Sequence, residues 1–397
     1  MIRRLQRSAC WLAALCLIGS NAQAQSDFES IEQAARGQTV YFNAWGGDLA
    51  INQYIEWVAQ RVRLEYDVTL RHVKVADIAE AVTRLRAEHI AGRHTGGSID
   101  LLWINGENFA ALKSANLLYG PWARSVPASR YVDWGNPTTE RDGNLSTDGF
   151  ELPWGTAALT LFFDTTRVPT PPDTSDALLT WIEQHPGRFS YPQPPAFVGS
   201  AFLKQLLWLL APQPERLLQP VDSHFDDVTE PLWQWLDRAH VAMWRGGRLF
   251  PQSGPAQREL MASGEVDWMM AYNPSEASRA IERGELQRSV KPLHFRAGAL
   301  ANSHFVAIPY NSANHAGAKV VANFLASPEA QIRKADETHW GDTTVLNMTA
   351  LPIVARQAFE TLPRGIATPT APSRFFSEPH PSWTTALEQA WIARYRH

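Results

Sequence analysis

Apolar positions along this chain switch repeatedly between a period of two and a period of three to four, the mark of strands alternating with helices. Residues 39–44 (TVYFNA) are β-rich and end at Trp45-Gly46-Gly47-Asp48. Asp48 is placed to cap a helix that carries Ile51, Ile55, Val58 and Val62 at helical spacing. Residues 68–75 alternate into a second strand. Residues 76–91 predict a helix with Ile78, Val82 and Leu85 on one face, and 99–104 (IDLLWI) a buried strand that runs into Asn105-Gly106-Glu107-Asn108-Phe109. That order predicts an α/β unit with a mostly parallel sheet.

Residues 120–149 show no period. Residues 150–163 (FELPWGTAALTLFF) resume strand character, and Pro153-Trp154-Gly155 allows a bend there. A turn-rich break at 169–172 precedes a short helix from 177 and a strand at 188–191. The Pro-rich 192–195 leads to Phe197 and a very apolar helix over 200–210. Helices are expected at 232–243, with Pro231 at its start, and at 259–263. A strand at 266–272 should end at Asn273-Pro274-Ser275. Residues 302–309 read as a strand and 313–325 as a helix with Ala318, Val321, Ala322 and Leu325 inward. Ser327-Pro328-Glu329 supplies a cap, a first-turn proline and a first-turn acid for another helix. The tail, 371–397, is a Pro- and Ser-rich loop followed by a helix over 383–395.

Composition sharpens this picture in two places. A chain of 397 residues, 45% hydrophobic and 19% charged, is globular and long enough for two domains or one split by a crevice. Its two cysteines, Cys10 and Cys16, both fall in a segment with Arg3, Arg4 and Arg7, an apolar run over 8–19 and an Ala22-Gln23-Ala24 end. That is a secretory leader over residues 1–24, with cleavage expected after Ala24 and a periplasmic product. Cysteine nucleophiles, disulfides and thiolate metal sites are then excluded. Loss of the three arginines leaves 33 basic against 40 acidic residues, a formal −7 in place of −4. Such a charge disfavours nucleic acid and anionic membranes as partners, and no later stretch approaches eighteen continuous apolar residues, so the mature chain is not expected to insert in a membrane.

Catalytic signatures are missing. There is no G-x-S-x-G elbow, H-E-x-x-H helix, Walker A loop or G-x-G-x-x-G after a strand, and no Asp cluster with calcium-loop spacing. No cofactor, metal or enzymatic activity is expected. What recurs instead is an aromatic beside Gly, Asn or Pro at a strand end: Trp45-Gly46, Trp103 with Asn105, Trp154-Gly155, Tyr191, Tyr272-Asn273 and Trp340-Gly341. In open α/β sheets such ends line the ligand crevice, and aromatic walls with a few polar groups are how small organic ligands are held. Core packing competes with this role at every one of these positions. For Trp103 and Trp268, inside apolar strands, it is the simpler account; for Trp45 and Trp154 both accounts stay open.

These segments together resemble a type II periplasmic solute-binding protein of an ABC importer, in its YnjB-like branch. The matching pieces are TVYFNAWGGD (39–48), IDLLWINGENF (99–109), ELPWGTAALTLFFD (151–164), YPQPPAFVGSAFL (191–203) and ANSHFVAIPYNSANHAGAKVVANFLASPEAQ (301–331). The resemblance implies a two-lobed α/β fold with the ligand between the lobes. Residues 25–150 and 304–370 would form a discontinuous first lobe and 155–300 a second, with 371–397 a helical segment on a lobe or the hinge. It implies a receptor that closes on a small molecule and docks on a membrane permease. The ligand-binding positions carried over are Trp45, Gly46, Asn105, Asn108, Trp154, Tyr191, Phe197, Tyr272, Asn273 and Trp340. The aromatic content favours a flat or cationic solute, such as a thiamine-like compound, a quaternary amine or a polyamine. Paired tyrosines, which a metal-bound anion would call for, are not evident. The competing readings are a secreted hydrolase or lyase using the same crevice, and a sensory or polysaccharide-binding module.

Overall fold

The structure, a computed structural model, describes residues 27–369 and 374–396; the leader lies outside them. A helix over 27–35 (α1) precedes β1 (Thr39–Trp45), α2 (Leu49–Tyr66), β2 (Thr69–Val75), α3 (Ala79–Ile90), β3 (Leu101–Ile104) and α4 (Gly106–Ser114). Asp48 caps α2, its Oδ1 accepting from the Ala50 and Ile51 amides, and Ile51, Ile55, Val58 and Val62 are all buried. The helix therefore lies where its apolar stripe dictates, each such side chain contributing about 1.5–3 kcal/mol by leaving water.

The chain continues through one-turn α5 (Pro137–Glu140), the hairpin β4 (Arg141–Asp142) and β5 (Leu145–Ser146), then β6 (Glu151–Ala158) and β7 (Thr160–Asp164). Next come α6 (Ser175–Gln184), α7 (Phe197–Leu210), α8 (Phe225–Ala242), α9 (Gly254–Ala262), β8 (Trp268–Ala271), α10 (Glu276–Glu282), β9 (Val290–Leu293) and β10 (Ala299–Ala307). The last elements are α11 (His315–Leu325), α12 (Pro328–Ala335), α13 (Ile353–Glu360), β11 (Phe375–Phe376) and α14 (Pro381–Tyr395).

One sheet runs β2-β1-β3-β10 with β6 and β11 also on β10; β1 pairs parallel to both β2 and β3, while β10 is antiparallel to β3 and β6. Its two faces build separate cores. Val40, Phe42, Leu152 and Val306 pack with α2 and α11, and Leu102, Ile104, Phe305 and Ala307 pack with α3 and α4. The second sheet is β8-β7-β9, antiparallel throughout. Leu161, Phe163, Trp268 and Met270 face α6, α7, α8 and α14; Phe162, Met269 and Ala271 face α9 and α10. The side-chain period of two thus covers each strand on both sides. These are the two lobes of a type II periplasmic binding-protein fold.

β6 and β10 run side by side from the first sheet toward the second. Their register steps from His304–Gly155 to Phe305–Pro153, leaving Trp154 without a partner residue, a bulge at the expected bend. α14 belongs to the second lobe, where Trp383 Nε1 donates to the Gln219 carbonyl and Trp391 Nε1 to Tyr191 Oη.

Three expectations need correction. Residues 188–191 form no strand, because their backbone groups are claimed singly: the Arg188, Phe189 and Ser190 carbonyls accept from Asp267 N, Trp244 N and Gln257 Nε2. Pro231 lies inside α8 rather than at its start, since Asp226 and Asp227 in the first turn and the buried Val228 and Leu232 extend the helix back to Phe225. α9 likewise begins earlier, at Gly254, where Ser253 Oγ accepts from the Ala256 amide.

Candidate functional site

The lobes meet along a seam where the loop after β1 and the Trp340 loop meet α10, the turn between β4 and β5 meets Leu218, and Glu107 of α4 stands within electrostatic reach of Lys204 on α7. Trp45 is half-buried against the first-lobe core, and Gly47 lies so close under its ring that any Cβ would overlap it. Gly46 donates its amide to the Val75 carbonyl and accepts at its own carbonyl from Asn52 Nδ2. Asp48, besides capping α2, takes the Arg279 guanidinium on Oδ2 at 3.1 Å, and Arg279 Nη1 also donates to the Trp340 carbonyl. Ser275 Oγ donates to that same carbonyl. The start of α10 is therefore pinned to two first-lobe loops.

Further along the seam, Asn105 is the N-cap of α4 but makes no side-chain cap bond. The amide of Gly106 is taken by Asp142 Oδ1 at 2.7 Å. Asp142 comes from a tight turn in which Gly143 and Asn144 both have positive φ, 49° and 60°. The tip of that hairpin reaches the second lobe, with Asn144 Nδ2 donating to the Leu218 carbonyl. Asn108 is buried one turn into α4 and donates to Glu107 Oε1.

Across from α4 lies Lys204 of α7, within a group of polar and aromatic neighbours. Lys204 is paired with Glu378, whose other oxygen accepts from Tyr272 Oη at 3.1 Å. Ser200 Oγ donates to Glu388 of α14 at 2.5 Å. Phe197 is exposed, its ring 5.1 Å from that of Tyr272. The electrostatics are one-sided. Burial raises the Glu107 carboxyl, with Glu378 adding repulsion and Lys204 opposing. Burial, reinforced by Glu107 and Asp77 and opposed by Ser200 and Lys204, pushes Glu388 up to about 7. Asp142 is held well above the usual carboxylate range, again chiefly by burial. Lys204 loses by burial but gains more from Glu378 and Glu107, and ends raised.

The carried-over aromatics divide by surroundings. Trp154 and Trp340 are inside the first-lobe core, ring centroids 5.4 Å apart and both close to Tyr54 and Trp103. Tyr191 is inside the second-lobe core, its hydroxyl 2.8 Å from His240 Nε2. Tyr272 also belongs to the second-lobe core, its hydroxyl on Glu378, whereas Trp45 and Gly46 lie at the end of β1, Asn105 and Asn108 at the start of α4, Phe197 at the start of α7 and Asn273 just after β8. Asn273 folds back locally, its Oδ1 accepting from the Ser275 amide, while its Nδ2 is buried without a partner.

Behind Trp154 lies a charged group that sequence reasoning did not find. His304 Nε2 and Lys334 Nζ converge on Asp342 Oδ2 at 2.8 and 2.6 Å, and Lys334 also donates to the Trp154 carbonyl. Lys334 stands over both the Trp154 and Trp340 rings at 5.4 Å. Burial raises the Asp342 carboxyl, but His304 and Lys334 outweigh it and hold the group below its ordinary range; burial lowers Lys334 more than Asp342 restores. Lys204, Glu378 and Glu388 were missed as well. Lys204 left a trace, as the one cation in the apolar run FVGSAFLKQLLWLL.

Among the described residues no helix is long and apolar enough to cross a membrane, and no group of three or more His, Cys, Asp or Glu could hold a metal ion. Two α/β lobes joined by paired crossover strands, with polar and aromatic groups facing each other across the seam, define the class of extracytoplasmic solute receptors. These deliver a ligand to an ABC importer by closing over it. The chain belongs to the bacterial extracellular solute-binding protein family, whose model matches residues 57–352. It is 46% identical over 391 residues to Protein YnjB of Escherichia coli (strain K12), spanning 98% of this chain and 99% of that protein. In fold it is similar to the periplasmic binding protein AfuA from Actinobacillus pleuropneumoniae with fructose-6-phosphate bound, at TM-score 0.63 and 13% identity, covering 90% of this chain and 99% of that one. It is also similar to a periplasmic thiamin binding protein, at TM-score 0.62 and 18% identity, covering 90% and 95%.

Proposed function

We propose that this receptor, exported with loss of residues 1–24, captures a small cationic solute between its lobes and presents it to its permease. The observation that carries this reading is the charge balance of the seam beside α4. Among the described residues, Glu107, Asp142, Glu378 and Glu388 stand around the Lys204 ammonium, four carboxyls to one cation, so the cluster has acceptors to spare for a further positive charge. An arriving cation favours the ionised form of carboxyls that burial, and to a lesser extent their mutual repulsion, disfavours, and a closed lobe pair strengthens that attraction by excluding water. The Phe197 and Tyr272 rings beside it offer a flat apolar wall and a cation–π face. Fructose-6-phosphate, held by a protein of the same fold, carries the opposite charge; thiamin, named for another, carries the same sign.

Tryptophan fluorescence titration combined with small-angle scattering tests the proposal, using thiamine, choline and spermidine against a sugar phosphate and a neutral sugar. Saturable quenching with compaction by at least one cation is the expected result. Binding confined to the anionic or neutral compounds overturns the charge assignment. Release of a chemically altered product from a bound compound overturns the receptor reading.

A further inference from the structure

Two buried carboxyls at the α4 end of the seam keep acceptor oxygens that no donor among the described residues meets. Asp142 is 2% exposed; its Oδ1 is taken by the Gly106 amide, but its Oδ2 is buried with no hydrogen-bond partner. Glu151, at the start of crossover strand β6, is 0% exposed and both of its oxygens are without partners. A buried acceptor left unmade costs the desolvation of the group with nothing in return, and native structures rarely leave one so. Asp142 stands within electrostatic reach of Glu107, Glu378 and Lys204, the groups that line the seam, and Glu151 stands within reach of Asp142.

We infer that Asp142 and Glu107 form an ammonium-binding subsite, and that the solute carries a protonated primary or secondary amine rather than a quaternary nitrogen. This rests on the cationic reading above and narrows it. The distinction follows from donor chemistry. A quaternary ammonium brings charge and no N–H, so it cannot satisfy the free lone pairs of Asp142. An R–NH3+ or R2NH2+ group brings two or three donors and does both at once, in bonds stronger than neutral ones. The subsite is also placed to couple binding to closure. Asp142 sits in the hairpin whose tip touches Leu218 of the second lobe, and Glu107 faces Lys204 and Glu388 on that lobe's helices. An ammonium seated there contacts groups from both sides of the seam and favours the closed arrangement by that differential contact.

Calorimetric titration of the full mature chain at neutral pH tests this with matched amine pairs: ethanolamine against choline, and putrescine against its fully N-methylated bis-quaternary analogue. At least one N–H member should bind about ten-fold or more tightly than its quaternary partner. Asp142→Asn, which keeps an acceptor for the Gly106 amide, and Glu107→Gln, at a half-buried helix position, should each weaken that amine about ten-fold. Glu107→Gln keeps the test open if Asp142→Asn fails to fold. Equal or tighter binding of the quaternary member, or unchanged amine affinity in folded Asp142→Asn and Glu107→Gln, overturns the subsite while leaving the cationic reading intact. Failure of every cation, with binding of a sugar phosphate or neutral sugar instead, sinks both.

Discussion

Gly155→Ala should be among the most damaging single-methyl additions this protein can suffer. Gly155 pairs with His304 across the two crossover strands, and its missing side chain is the space the buried charges occupy. A Cβ built there overlaps His304 Nε2 and Asp342 Oδ2 and comes within 2.5 Å of Lys334 Nζ. None of the three can retreat into water, since they are 6%, 2% and 0% exposed. The methyl must therefore either push β6 off β10 or break the contacts of Asp342 with His304 and Lys334. Each charge-assisted hydrogen bond lost from a buried group costs about 1.5–3 kcal/mol, and separating a buried ion pair costs about 3–5 kcal/mol. The expected loss is about 3–5 kcal/mol, a large part of a total stability of about 5–15 kcal/mol. Guanidinium unfolding followed by tryptophan emission suits the measurement, because Trp103, Trp154 and Trp340 surround the triad. Gly254→Ala is the control, as its nearest neighbour, Val198 Cγ2, would be at an ordinary 3.6 Å. A Gly155→Ala protein within about 1 kcal/mol of the parent would show that the triad is loosely held, and would refute the reasoning.

Trp154→Ala removes a wholly buried ring from the first-lobe core and should cost about 3–5 kcal/mol in the same assay, while Trp45→Ala, half-buried, costs clearly less; equal losses would remove that distinction. A buried and a partly buried group give stability slopes of opposite sign. Burial lowers the His240 imidazole from 6.5 to about 4, so between those values the unfolded chain binds more protons and stability falls as pH is lowered; His240→Gln should flatten a slope worth about 3 kcal/mol across that window. Glu388 is raised from 4.5 to about 7, so there the folded chain binds more protons and stability falls as pH rises; Glu388→Gln should remove that decline in a series of unfolding curves from pH 4.5 to 7.

Much of the scaffold was legible because its signals are local. Asp48 and Ser327 cap the helices they were assigned to, through amides two or three residues on. The inward faces of α2 and α11 follow from spacing alone. The misplaced starts of α8 and α9 turn on neighbours a few residues away, but two other failures share a deciding partner distant in sequence. Residues 188–191 look like a strand, yet their carbonyls are bonded by groups from 244, 257 and 267. Tyr191 beside a Pro-rich loop looks like a ligand wall, yet Trp391, 200 residues on, shares its buried cluster and donates to its hydroxyl.

From the sequence by itself came the alternation of strands and helices, the cap and turn chemistry, and through resemblance the class of receptor. Those depend on propensities and periods that act within a few residues. Only the tertiary structure decided which aromatics are core and where charge is concentrated. Trp154 and Trp340 are sealed by residues far apart in the chain, Tyr54, Trp103, His304 and Lys334 among them, and the acidic seam takes one carboxyl each from positions 107, 142, 378 and 388. A carboxyl's ionisation and a ring's exposure depend on what surrounds them in space, and no local pattern encodes surroundings assembled from opposite ends of a chain.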